Sequence, residues 1–411
     1  MVSTNGYATF NPLTKMKNLK DQIQKLALDG HAEFVGWRRY LHQYPELSTE
    51  EHQTAAFVAK RLTESGIPFT PGVAGTGIVA HITGRKTSNR LIALRADMDA
   101  LPITEENDVP YKSLNPGVMH ACGHDVHTSS LLGAARILQT LRDDFGGTIR
   151  LIFQPSEEKY PGGAIMMIGE GVLRNPTPEA IFGQHVLPEL DAGMIGLRPG
   201  KYMASTDEIY LTVKGKGGHG ATPDKNIDPV LIASHIVVAL QQIVSRHAAP
   251  TMPTVISFGK VVANGRTNII PAEVRLEGTI RTFSETWRAE AHQLIRRIAQ
   301  GTARAMGGDC DVFIDPGYPF LVNNPELTAR TRQWAIDFLG AGKVADLDLR
   351  MTAEDFAYYS QQIPGCFYRL GIRNEARGIT HSLHSSLFDA DESSLITGPG
   401  LMAWVAINSL Q

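Results

Sequence analysis

Four short apolar runs constrain this chain more than any other feature. RLIALRADMD (90–99), GTIRLIFQPSEE (147–158), AIFGQHV (180–186) and CFYRLGI (366–372) are near-continuous rather than alternating. Strands covered on both faces of a parallel sheet read that way. Helical patterns such as SSLLGAARILQTLRDD lie between them. Strands alternating with helices predict an α/β unit with a largely parallel sheet. Three of the runs end in acids or a histidine. Open α/β sheets bind ligands beyond the carboxyl ends of their strands, so residues 97–99, 120–125, 157–158 and 185 are expected around one crevice. Upstream, PELSTEEHQTAAFVAKRLTESG predicts a helix. Ser48 and Glu51 have the spacing of a capping box, Ala55, Val58, Ala59 and Leu62 share a face, and Gly66 stops it.

The middle of the chain is patterned differently. DEIYLTVKGK alternates with period two, DPVLIASHIVVALQQIVSR reads as a helix, and TVISFGKVVANG and AEVRLEGTIRTF read as a hairpin. TWRAEAHQLIRRIAQGTARAMG is a second helix and DCDVFID a last strand. The order β-α-β-β-α-β predicts a ferredoxin-like α+β unit over about 202–314. It would be inserted in an α/β unit made of 1–201 and 315–411. A chain of 411 residues is too long for one ordinary core, which agrees with two.

Composition narrows the function. Apolar residues make up 43% and charged residues 20%, the balance of a soluble globular protein. The net charge is −3 and no Lys/Arg run stands out, so neither nucleic acid nor a charged membrane surface is an expected partner. Residues 1–15 show no apolar core of a secretory signal. The stretch VLIASHIVVALQQIV is interrupted by His235 and Gln241 and reads as a buried helix of a soluble protein. Cys122, Cys310 and Cys366 are odd in number and far apart, which fits a reducing cytosol rather than a disulfide framework.

The densest chemistry is VMHACGHDVHTSS (118–130), where a cysteine, three histidines and an aspartate crowd together. Thiolate and imidazole suit zinc and other late first-row divalent ions. Gly123 permits an unusual backbone angle or a close approach, and Asp125 falls where the next helix begins. QPSEE adds Glu157 and Glu158 at a strand end. One could ligate a metal while the other takes a proton from the water it activates and hands it to a leaving amine. His185 ends another strand, and THSLHSSLFDADE offers His381 and His384, between which spacing does not choose.

Together these pieces resemble the zinc-type metallopeptidase family of aminoacylases and glutamate-type carboxypeptidases. The likeness is closest to its amidohydrolase branch of hippurate hydrolases, auxin-conjugate amidohydrolases and N-acyl amino acid deacetylases. It is carried by RRYLHQYPELSTEE (38–51), LRADMDALPI (94–103), MHACGHDVHT (119–128), FQPSEE (153–158), GQHV (183–186), GKGGHGATPD (215–224), TNIIPAEVRLEGTIRTF (267–283), AEDF (353–356) and HSSLFDADE (384–392). The resemblance implies a mostly parallel-sheet, zinc-peptidase-like catalytic domain with an inserted ferredoxin-like lid that often serves as a dimerisation surface. It implies Cys122, bridging two divalent ions, with His124, Glu158, His185 and His384 as the other ligands, and Glu157 as general base. Zinc, manganese, cobalt and nickel all suit that set. Where the wider family has His-x-Asp, this chain has Asp97-Met98-Asp99, so Asp97 and Asp99 are expected behind the ligands, orienting the imidazoles. In the inserted segment, His219 is implied to polarise the scissile carbonyl or hold the oxyanion, and Asn268 and Arg281 to contact the substrate carboxylate or oxyanion.

The expected activity is metal-dependent hydrolysis of the amide bond of a small N-acyl amino acid. The rivals are a dipeptidase or carboxypeptidase using the same groups, a binding protein that holds an acyl amino acid uncleaved, and a zinc-stabilised structural protein. A base beside the ligands argues against the last two.

Overall fold

The computed structural model describes residues 12–411; residues 1–11, most of the stretch read for a secretory signal, lie outside the described residues. The chain divides into two compact units. One comprises the residues up to Gly200 with Asn323–Leu347 and Tyr359–Gln411, the other Lys201–Val322 with Asp348–Tyr358.

The first unit is built on an eight-stranded sheet in the order Phe69–Val73, Gly77–Thr83, Gly146–Gln154, Lys86–Asp97, Ile181–Asp191, Gly365–Arg373, Ile195–Leu197, Val344–Asp346. The four apolar runs are its four central strands, and they are mutually parallel. On both sides the next strand joins them antiparallel, and the outermost pair on one side, Ile195–Leu197 with Val344–Asp346, is parallel. Register sets the polar residues side by side, although His185 lies inside its strand, which runs on to Asp191, rather than ending it as expected. Asp97 pairs with Gln154, three residues before Glu157, and Arg95 pairs with Gly183, two before His185. The helices Pro12–Gln43, His124–Thr140 and Ser394–Ser409 pack on one another, and the last two also lie on the sheet. Pro12–Gln43 is not among the elements expected above. The stripe that makes it a core helix, Leu19, Ile23, Ala27, Phe34, Trp37 and Leu41, is diluted by charged residues between its members.

The helix after PELSTEE is shorter at its start than expected, His52–Glu64, and buries Thr54, Phe57, Val58 and Leu62. Ala55 and Ala59 are only partly covered. Ser48 and Glu51 do not form a capping box. The Glu46 carboxylate takes the free N–H groups of Gln53 and Thr54, at 3.0 and 2.8 Å. Ser48 and Glu51 are drawn to partners far along the chain, described below.

The second unit holds a four-stranded antiparallel sheet in the order Val255–Val262, Glu273–Arg281, Asp207–Lys214, Asp309–Pro316. With the helices Pro229–Gln242 and Glu285–Ala305 this is the ferredoxin-like β-α-β-β-α-β arrangement. Asp228 and Ser284 cap the two helices through their side chains. The helix read as buried covers only one face: Ile232, Ala233, Ile236 and Leu240 are inside, whereas Leu231 and Val238 are exposed. The segment 348–358 joins this unit because Arg350 pairs with Met203 and its N–H donates to Tyr202 O.

Candidate metal centre

Five ligand-type side chains of the first unit converge in two overlapping groups. Cys122, His124 and His185 have their donor atoms within 4.8 Å of one another, and so do Cys122, Glu158 and His384. The Cys122 sulfur belongs to both. It lies 3.4 Å from His185 Nε2, while Glu158 Oε1 lies 3.3 Å from His384 Nε2 and 3.9 Å from His124 Nε2. Glu157, buried, stands with His124 and Glu158 in a third group of the same tightness. His381 is in none of these groups.

The imidazoles are oriented from behind. His124 Nδ1 donates to Asp99 Oδ1 at 3.2 Å and His185 Nδ1 donates to Val186 O at 2.8 Å, so each ring turns its Nε2 inward. That is how metal-binding histidines are held. Asp99 Oδ2 also accepts the N–H of Glu158 at 2.9 Å and the Ser48 hydroxyl at 2.6 Å. Asp97 accepts from Arg95 and His127, both at 2.5 Å. His127 has a ligand's position but no free lone pair: its Nε2 accepts the Val186 N–H at 2.8 Å, so its proton is on Nδ1, toward Asp97. His384 is carried by a residue with φ of 63°, and its N–H donates to Ala121 O at 2.8 Å.

Gly123 makes the turn between Cys122 and His124 possible. Its φ is 82°, and a Cβ there would come within 2.4 Å of Val186 Cγ2. A Gly123→Ala substitution incurs about 1–2 kcal/mol for the left-handed backbone, with the clash in addition. The expected result is a melting temperature lower by several degrees in the metal-free protein, together with weaker metal retention. Thermal unfolding and elemental analysis check both.

The electrostatics suit a cation. Burial and the carboxylates of Glu158 and Glu157 push the Cys122 thiol well above its ordinary value. Burial lowers His124, but Asp97, Asp99 and Glu158 outweigh it and raise it to about 10. Burial, helped by Arg369 and His127, holds His185 far below the usual range and so neutral. Among the described residues, His124 Nε2 and Glu158 Oε1 are buried without a hydrogen-bond partner. A field that would hold a proton on His124, facing unpartnered nitrogen and oxygen atoms beside a buried thiol, is what a divalent ion needs. The residues therefore fit a metal.

Three supports escaped the sequence reading. Arg38, wholly buried, donates to Asp125 and Asp389 at 2.7 Å each. His42 bridges Asp125 at 2.8 Å and Glu105 at 3.2 Å, and these acids raise it against the opposing effects of burial and Arg38. Arg38 and His42 are four apart on one helix face, which is the signal that pairs them. His127 was visible in its motif but not in its role. His219, Asn268 and Arg281 lie in the second unit. His219 pairs with Ile269 in a two-stranded ribbon, and Asn268 O accepts the Gly220 N–H. Both side chains are exposed, whereas Arg281, half-buried at the end of its strand, is lowered by burial.

A model of peptidase family M20/M25/M40 matches residues 93–406. The N-acyl-L-amino acid amidohydrolase of Geobacillus stearothermophilus is 42% identical over 75% of this chain and 82% of its own. Thermostable carboxypeptidase 2 of Saccharolobus solfataricus is 40% identical over 94% and 98%. Among solved structures, the Bacillus subtilis YXEP protein, described as a dinuclear metal binding peptidase, superposes with a TM-score of 0.79 at 34% identity, covering 92% of this chain and 98% of that one.

Proposed function

This chain belongs to peptidase family M20/M25/M40, and on that premise we propose that it is a metal-dependent amidohydrolase that splits N-acyl amino acids into a carboxylic acid and a free amino acid. The observation that carries this reading is the pair of ligand groups sharing the Cys122 sulfur beside Glu157. Two divalent ions would be held, one by Cys122, His124 and His185, the other by Cys122, Glu158 and His384. Zinc, manganese, cobalt and nickel all match this mixed sulfur, nitrogen and oxygen set. When bound, such ions supply Lewis acidity, activating water near neutral pH and offsetting charge on the attacked carbonyl.

The chain's own groups do the rest. Glu157 takes the proton of the attacking water and passes it to the departing amine nitrogen. Asp99 and the Val186 carbonyl hold the imidazoles in their inward tautomer. His219 is assigned to the scissile carbonyl and Asn268 and Arg281 to the substrate carboxylate, a guanidinium being suited to bidentate binding. The second unit is assigned the roles of lid and of a homo-oligomer surface. A cytosolic setting is in keeping with three free thiols.

A carboxypeptidase reading uses the same groups and is favoured by the 40% identical relative of that name. The deciding experiment strips the protein of metal, reloads it with each candidate ion, and assays acetyl, benzoyl and indole-acetyl amino acids beside dipeptides. The expected result is release of free amino acid from the acyl substrates, lost with a chelator and restored by metal. Faster turnover of dipeptides would install the peptidase, and binding without cleavage would leave only a binding protein.

A further inference from the structure

We propose that Glu51 is a positioning residue that fixes the backbone on which Glu157 is carried; this rests on the reading of Glu157 as the base. Glu51 is fully buried. Its Oε1 accepts the N–H of Ser156 at 2.8 Å, across 105 residues, and that of Thr49 at 3.0 Å. Its Oε2 accepts the Thr76 hydroxyl at 2.6 Å. All three donors are neutral. Burying a carboxylate on neutral donors is expensive, so its place is explained by what it holds.

What it holds is strained. Ser156 has φ of 54° and Thr49 φ of 74°, in a region that residues with a side chain seldom occupy. Such conformations persist where the surroundings over-determine them, and they gather at active sites. The Ser156 carbonyl is pinned as well, accepting the Gly163 N–H at 2.8 Å. Glu157 follows directly. On its other side the Glu158 N–H is held by Asp99 at 2.9 Å, and Asp99 is in turn held by Ser48. The base thus sits between two anchored amides. One anchor is residue 51, and the other is braced by residue 48 of the same ELSTEE segment. Glu51 governs the position of Glu157, while Asp99 governs that of Glu158.

The test compares Glu51→Ala, Glu51→Asp and Glu51→Gln in the metal-loaded full-length protein, with Glu157→Gln alongside. Displacing a catalytic group by about 1 Å can reduce turnover about a hundredfold. Alanine removes the acceptor and aspartate keeps the charge but loses reach, so both are expected to lower kcat about 10- to 100-fold. KM should stay within about threefold, and metal content by elemental analysis should equal the parent's. Glutamine keeps an acceptor for Ser156 and Thr49 and offers its amide to Thr76, so its kcat should stay within about threefold of the parent. Parent-like kcat in the aspartate variant, a tenfold loss in the glutamine variant, or metal loss in any folded variant overturns the proposal. Should alanine fail to fold, the contrast between the aspartate and glutamine variants decides. If Glu157→Gln itself keeps full activity, it is the assignment of the base that fails instead.

Discussion

Replacing Glu157 by glutamine is expected to lower kcat by about a thousandfold and to leave the metal content unchanged. General acid–base groups contribute about 10²–10⁴ in rate, and a glutamine amide neither takes the proton of water nor delivers one to an amine. The shape of the site survives because glutamine is nearly isosteric. The backbone on either side is also independently held, by Glu51 at Ser156 and by Asp99 at Glu158. KM should move little, since the group acts in the transition state rather than in binding. Steady-state kinetics on an N-acyl amino acid, with elemental analysis of the same sample, check this. A parent-like kcat would show that another group moves the proton; lost metal would show that Glu157 is a ligand.

Cys122→Ala is expected to empty the site more fully than loss of any other single ligand. The sulfur is common to both ligand groups, whereas His185 and His384 each belong to one. Removing a shared donor weakens two ions at once, and activity should fall at least about a hundredfold, beyond the 10- to 100-fold range typical of losing a group behind the ligands. After dialysis the Cys122→Ala protein should hold less than half the parent's metal, and His384→Ala about half. Equal metal in the Cys122→Ala variant and the parent would remove the cysteine from the ligand set. The contrast between the two variants matters because burial and two carboxylates keep the metal-free thiol protonated. Only a bound cation makes it a thiolate, and His124 must also give up its proton to ligate, so metal uptake should release protons measurable in weakly buffered solution.

The architecture could be read from the chain because its signals are local. Continuous apolar runs such as RLIALRAD announce strands covered on both faces, and they occupy the parallel centre of the sheet. The period-two strands and capped helices of 207–316 spell out the antiparallel unit in the same way. The failures are informative for the opposite reason. Ser48 and Glu51 have the right spacing for a capping box, yet a hydroxyl and a carboxylate take whichever buried partner the fold presents. Here those partners are Asp99, Thr76 and Ser156. The exposed Leu231 and Val238 show a similar limit, since composition does not say how many faces of a helix are covered.

By itself, the sequence determined which residue types stand at the strand ends, and hence that soft and hard metal donors would gather at one edge of a parallel sheet. That follows from strand period and from the direction of parallel strands, which are properties of neighbours along the chain. Which imidazole turns a nitrogen toward the metal site was set by contacts made in the folded protein. His124 and His185 present Nε2 because Asp99 and the Val186 carbonyl occupy Nδ1, while His127, three residues from His124, is consumed by Asp97 and the Val186 amide. Hydrogen bonds saturate, and for His124 and His127 the partner that reaches each nitrogen comes from a segment tens of residues away, which no local pattern encodes.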